Sequence, residues 1–171
     1  KSSLRKRGDK ALGFNHAPES NAGEYLHELE DLPEFVFVKN LVGVKGKFAF
    51  CENTEELISA LSILFKEQKW EHVYAAENEI RNFLDKAGIP NHADPDRLID
   101  IEAGFTGCEF LVARTGSILV SSAQTFSRRV IAHSPQHIVI AKTSQIVNEM
   151  SQGIEGVRKK YGKVPGMITA I

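Results

Sequence analysis

The stretch His72-Val73-Tyr74-Ala75-Ala76-Glu77-Asn78-Glu79-Ile80-Arg81-Asn82-Phe83-Leu84-Asp85-Lys86-Ala87-Gly88-Ile89-Pro90 decides the fold. Its first four residues have the composition of a short buried strand. Ile80, Phe83, Leu84 and Ala87 then recur at helical spacing, and Gly88 with Pro90 ends the helix. A similar step precedes it. Lys47-Phe48-Ala49-Phe50-Cys51 reads as a strand, and Asn53 with Glu56 forms a variant of the capping box before Leu57, Leu61, Leu64 and Phe65. Two strand-then-helix steps argue for parallel pairing with right-handed crossovers.

Upstream, Pro33 leads into Phe35, Val36, Val38, Leu41 and Val42, whose spacing favours a helix, although the alternation of Phe35 and Phe37 also suits a short strand. Downstream the pattern changes. Cys108 to Ala113 and Ser117 to Ser121 are strands joined through Arg114-Thr115-Gly116, too short a link for a crossover and right for a hairpin. A helix from Thr125 to Ala132, a strand from Gln136 to Ala141, a helix capped by Thr143 or Ser144 and ended by Gly162, and a strand from Gly166 to Ile171 complete the order. The expected fold is α/β, a mostly parallel Rossmann-like sheet with an inserted β-hairpin.

At 171 residues, 42% hydrophobic and 25% charged, the chain has the size and composition of one globular domain. Its 21 basic and 22 acidic side chains leave a net charge of −1, which gives no field for duplex nucleic acid. No apolar run exceeds four residues, so no membrane span or signal segment is expected. Two cysteines, Cys51 and Cys108, build no disulfide framework and favour a reducing, cytoplasmic location. Residues 1–33 read as a basic tail followed by an acidic arm, partly flexible, and 34–171 as the folded domain. The chain opens without methionine and closes inside a strand, so both ends read as cuts.

Ligands of open α/β sheets bind beyond the carboxyl ends of the strands. Thr106 and Gly107 at one strand entrance, and Thr115-Gly116-Ser117 in the hairpin turn, offer hydroxyls and backbone amides to an anion, although the second group is better explained as turn chemistry from spacing alone. Glu109 opens an otherwise apolar run, where a carboxylate is costly unless solvated, paired or used; Arg114 and Arg128 are its candidate partners. Ser121 and Ser122 precede a helix start that carries Arg128 and Arg129, which makes this the best small-anion site in the sequence. His133 and His137 flank Pro135, which argues against a helical metal pair, and no metal site is expected. His137 reads as a satisfied, partly buried ring, with ligand orientation as its second reading. Trp70 and Tyr74 read as packing residues.

The stretch Thr106-Gly107-Cys108-Glu109-Phe110-Leu111-Val112-Ala113-Arg114-Thr115-Gly116-Ser117 resembles the T-G-A-(D/E)-φ-φ-(I/V)-A-x-(S/T)-G-(T/S) signature of the LUD domain, the lactate-utilisation protein B and C family also called DUF162. Arg128, nine residues before His137-Ile138-Val139-Ile140, matches the family's R-to-P-x-H-I-V-V spacing with Pro135 in place, and Gly166-Met167-Ile168-Thr169 extends the match. Cys108 departs from the usual alanine, and the chain stops before the S-G-P-S-x-T-A-D-I-E segment expected next. The resemblance implies a C-type (LutC-like) or stand-alone protein. It also implies a fold like that of ribose-5-phosphate isomerase, glucosamine-6-phosphate deaminase and the CoA transferases (NagB/RpiA/CoA transferase-like).

It further implies an accessory role in oxidising L-lactate to pyruvate, with no cofactor in this chain and iron–sulfur clusters in partner subunits; a homo-oligomer stays open. On this reading a small carboxylate or phosphate ligand sits among Thr106, Gly107, Thr115, Gly116, Ser117, Ser121, Ser122, Arg128 and His137. The alternatives are a stand-alone isomerase or acyl/CoA transferase with Glu109 as general base or nucleophile, and a structural protein docking through its acidic 19–34 arm.

Overall fold

The computed structural model describes residues 32–124 and 129–171, with the Arg129 side chain outside that set. Helix α1, Pro33–Gly43, begins where Leu32 is extended and Pro33, at the first helical position, holds its fixed φ. Its helical spacing thus prevails over the strand alternative. Phe37 is its buried residue, and Asn40 Nδ2 ties it to the Ala113 and Arg114 carbonyls at 2.8 and 3.0 Å.

Residues 47–51, expected as a strand, form no regular structure. Their composition suits a sheet but they find no neighbour to pair with, and Phe50 stays 61% exposed. The cap after them does form: Asn53 Oδ1 accepts the Glu56 N–H at 2.9 Å, and the Glu56 carboxylate accepts the Glu52 N–H at 2.9 Å. Helix α2, Thr54–Gln68, leads through Trp70 into β1, Val73–Ala75, and then α3, Asn78–Lys86, which buries Ile80 and Leu84. Gly88 beyond it has φ +70°.

After a 3₁₀ turn at Pro95–Asp100 comes β2, Ala103–Thr106, buried at every position. It is the centre of a three-stranded parallel sheet in the order β1-β2-β5, where β5 is Gln136–Val139. Strand alternation divides the core. Val73, Ala75, Ala103 and Phe105 face α2 and α3 with Trp70, whose ring meets Phe105 edge-on at 5.9 Å. Tyr74 belongs to the opposite cluster with Phe37, Leu111, Val120 and Val130.

The hairpin forms as expected and belongs to a second sheet. β3, Phe110–Val112, pairs antiparallel with β4, Ser117–Ser121, around Gly116 at φ +66°. The order of this sheet is β6-β3-β4-β7, with β6 at Ile146–Val147 and β7 at Ile168–Ala170. Of the helix expected at 125–132, residues 129–133 form the short α4, and 125–128 lie outside the described residues. The next helix starts later than expected: Thr143–Gln145 is a 3₁₀ turn, β6 comes after it, and α5 spans Met150–Tyr161 before Gly162 closes it at φ +71°. On α5, a side chain at Gly156 would run into the Phe110 ring, so the glycine permits the helix to lie close against β3. The α/β class and the mostly parallel pairing of the first sheet stand.

Candidate functional site

Because β1, β2 and β5 run parallel, their carboxyl ends share one rim, and the chain leaves the sheet there three times. The exit of β1 supplies Glu77, the exit of β2 supplies Gly107 and Cys108, and the exit of β5 supplies Ile140, Ala141 and Lys142. Gln124, beyond β4, and Lys160 and Tyr161, in the last turn of α5, close the other side of a cleft of about 360 Å³. This is the position at which an open parallel sheet receives a ligand.

Beneath the cleft sits Glu109. Its N–H donates to the Leu119 carbonyl at 2.8 Å, extending the β3–β4 ladder and fixing the side chain inward, where it has 0% exposure. Oε1 accepts from Ser121 Oγ at 2.6 Å and from Tyr161 Oη at 2.9 Å, and Oε2 accepts from Lys160 Nζ at 2.8 Å. The carboxylate is thereby held by two hydroxyls and an ammonium, the compensation that burial of a charge demands. Neither expected arginine is seen to do this: Arg114 pairs instead with Glu149 at 3.3 Å on the surface, and Arg128 lies outside the described residues. The Lys160 side chain is 55% exposed, so the ammonium keeps donor capacity for a ligand or water. Burial alone would lower the Lys160 pKa, but the bonds to Glu109 and Tyr161 carry it above the ordinary lysine value. Burial raises the Tyr161 phenol, and its bond to Glu109 raises it further.

Glu77 lies across the cleft and accepts the Gly107 N–H at 2.6 Å. Burial pushes its carboxyl above the usual range, the bonds from Gly107 and Gln124 pull it partly back, the Glu109 charge adds to the rise and the Lys160 charge opposes it. Glu79 and Lys142 form an exposed pair at 3.0 Å on the rim. Gln145 Nε2 donates to the Cys108 carbonyl at 2.7 Å and the Glu109 carbonyl at 3.3 Å, fixing the β2–β3 link. Cys108 lines the cleft as a thiol: burial first, then the Glu109 and Glu77 charges, raise its pKa to about 12, which removes the thiolate needed for nucleophilic work.

The expected site residues fall into separate places. Gly107 lines the cleft, Glu109 lies beneath it bonded to Lys160 and Tyr161, and Ser121 reaches it through Glu109. Thr106 is fully buried, and its hydroxyl shares a 2.8 Å hydrogen bond with His137 Nε2 beneath the rim; burial lowers the His137 pKa, which favours the neutral ring. Ser122 turns away: its N–H donates to the Met167 carbonyl at 3.0 Å and its hydroxyl accepts the Met167 N–H at 3.2 Å, tying β4 to the β7 segment. Thr115, Gly116 and Ser117 sit at the far end of β4, about 13 Å along the strand at ~3.4 Å per residue. There Gly116 packs on the backbone of Asn40 and Leu41. The expectation that this turn joins the ligand cleft is corrected: it is hairpin chemistry docking α1. Arg128, expected among the residues around the anion, lies outside the described residues.

Glu77, Gln124, Lys142, Gln145, Lys160 and Tyr161 were not singled out by the sequence. Glu77 carried a usable signal, standing two residues past a strand that feeds a helix. Lys160 and Tyr161 carried none beyond their place at a helix end. Among the described residues no group of three His, Cys, Asp or Glu could hold a metal ion, and no helix is long and apolar enough to cross a membrane.

No curated protein matches the chain. Among solved structures it is similar to a DUF162 family protein from Deinococcus radiodurans, with 21% identity over 71% of this chain and 89% of that one, at a TM-score of 0.40. The model of the LUD domain matches residues 36–171. Spanning both sheets and every element of the cleft, that match means the chain belongs to the LUD domain family.

Proposed function

We propose that this chain is a ligand-binding subunit of a lactate-utilisation system. It takes a small anionic molecule, carboxylate- or phosphate-bearing, into the cleft at the ends of β1, β2 and β5. Membership of the LUD domain family supports the lactate-utilisation association. The redox centres would then belong to partner subunits with iron–sulfur clusters, as the family resemblance implies. The carrying observation is the anchoring of Lys160: a fully buried carboxylate, Glu109, holds its ammonium at 2.8 Å, and the half-exposed lysine lines the cleft. A cation fixed in this way loses little freedom when it meets an anion, which is how preorganisation adds affinity. Tyr161 and the exit of β2 at Gly107 supply further polar groups on the same wall.

Calorimetric titration with L-lactate, pyruvate, sugar phosphates and CoA thioesters tests this reading. At least one of these small anions should bind, and Lys160→Ala should weaken it by about tenfold or more, the value of one charge-assisted contact. Unchanged binding in the variant would remove Lys160 from the site. The alternative of a stand-alone isomerase or acyl/CoA transferase with Glu109 as base or nucleophile is less well supported, because both Glu109 oxygens are already occupied by donors. Turnover abolished by Glu109→Gln, with the variant still folded, would favour it.

A further inference from the structure

Glu77 stands in the same cleft as Lys160, yet it carries the charge that an anion should avoid. Its Oε2 is fixed by the Gly107 N–H at 2.6 Å, so the carboxyl cannot swing out of the way without leaving a backbone donor unpaired. Among the described residues around it, Lys160 is bonded to Glu109 and its charge draws the Glu77 carboxyl down only as the smallest of the influences on it, Lys142 is paired with Glu79 on the rim, and Cys108 is an uncharged thiol. Tyr161, Gln124 and Gln145 are neutral hydrogen-bonding groups, and His137 lies below, engaged with Thr106. Among the described residues, three carboxylates border or underlie the cleft, Glu77, Glu79 and Glu109, against two lysines, Lys142 and Lys160. An anionic ligand adds one more negative charge to a space of about 360 Å³.

Resting on the ligand-binding role of this cleft, we propose that Glu77 selects the ligand: the cleft takes a monocarboxylate together with one proton, shared between the ligand and Glu77 in a carboxylic acid–carboxylate hydrogen bond. Two carboxyl groups brought together cannot both ionise, and sharing one proton converts their repulsion into a strong O–H···O contact. Glu77 is already poised for this, since burial and the Glu109 charge favour its protonated form. A phosphate dianion keeps a second charge after one proton is shared, and so meets Glu109 and Glu77 at a disadvantage that a monocarboxylate avoids. The ligand class then narrows from small anions to small monocarboxylates.

Titration of the full chain with L-lactate, pyruvate and inorganic phosphate, in two buffers of different ionisation enthalpy, measures the protons taken up on binding. A monocarboxylate should bind with net uptake of up to one proton, and its affinity should fall as pH rises, by up to about tenfold per pH unit where the uptake approaches one proton. Phosphate should bind more weakly by about tenfold or more. In Glu77→Gln, whose amide can donate without titrating, the proton uptake should vanish, the affinity should be flat with pH, and phosphate should gain relative to the carboxylates. Monocarboxylate binding without proton uptake in the wild type overturns the proposal and leaves the ligand-binding reading intact, and so does equal affinity for phosphate. Because the buffer comparison uses the wild-type protein, the outcome does not depend on the variant folding. If none of these three anions binds at any pH, this inference falls, and the ligand-binding reading falls only if the sugar phosphates and CoA thioesters fail as well.

Discussion

Replacing Glu109 by glutamine removes one charge from the floor of the cleft while keeping the volume and the acceptor oxygen that Ser121 and Tyr161 need. The cost divides among three bonds. The two hydroxyl bonds, at 2.6 and 2.9 Å, survive as neutral ones, and the step from about 1.5–3 to about 0.5–1.5 kcal/mol loses roughly 1 kcal/mol for each. At Lys160 the new amide N–H₂ would face the ammonium at the 2.8 Å position, so the lysine must leave. With its side chain 55% exposed it finds water instead, and that loss is screened to about 1 kcal/mol or less. The sum is about 2–3 kcal/mol, which for a chain of this size lowers Tm by about 4–12 °C. Urea unfolding followed by circular dichroism reads the first quantity and a thermal scan the second. A variant within about 0.5 kcal/mol of wild type, or above it, would refute the reasoning. It would mean that desolvation of the carboxylate cancels its bonds, as it can for buried ions, and that the charge is retained for the ligand rather than for the fold.

Two further perturbations separate structure from site. Gly116→Ala should destabilise the protein by about 2–4 kcal/mol while leaving ligand affinity unchanged: the position has φ +66° and a methyl there would strike the backbone of Asn40 and Leu41. Stable protein with lost binding would restore the turn to the site. Cys108 should resist thiol reagents until the chain unfolds, and it should make stability fall with rising pH. Its thiol titrates near 9.0 when unprotected and near 12 when folded, so the folded state binds more protons in that window. The stabilisation is whole below the lower value and drains at up to ~1.4 kcal/mol per pH unit as the upper one is approached. Comparing the alkaline stability profile of Cys108→Ala with wild type isolates the effect from those of Lys160 and Tyr161; parallel profiles would refute it.

The strand-helix unit from His72 to Pro90 was legible because its two periods are local: three buried strand residues, then Ile80 and Leu84 one helical turn apart. Lys47 to Cys51 misled because strand composition says nothing about whether a partner strand exists. Ile146 and Val147 misled in another way. Together with Met150, Ile154 and Val157 they continue an apolar face at helical spacing, so periodicity runs unbroken across Asn148 and Glu149. There the chain in fact ends the two-residue β6 and begins α5. Glu109 stood out because a carboxylate in an apolar run demands compensation. Its partner did not, since Lys160 lies 51 residues away, in a last helical turn where a basic residue is ordinary.

The placement of the hairpin residues is decidable from the hairpin alone. Two antiparallel strands put their connecting turn at one end and their open ends at the other. Glu109, at the entrance of β3, and Ser121, at the exit of β4, must therefore lie side by side, and Gly116 must lie about a strand's length from both. Grouping Thr115, Gly116 and Ser117 with Thr106 and Gly107 contradicts the very pairing that made them a turn. The same logic turns attention to Glu77. If β1 and β2 are parallel neighbours, the residues after Ala75 must stand beside those after Thr106, and the 2.6 Å bond from Gly107 to Glu77 is the contact that register requires. Strand direction, more than residue type, determines which polar groups of this chain can act together.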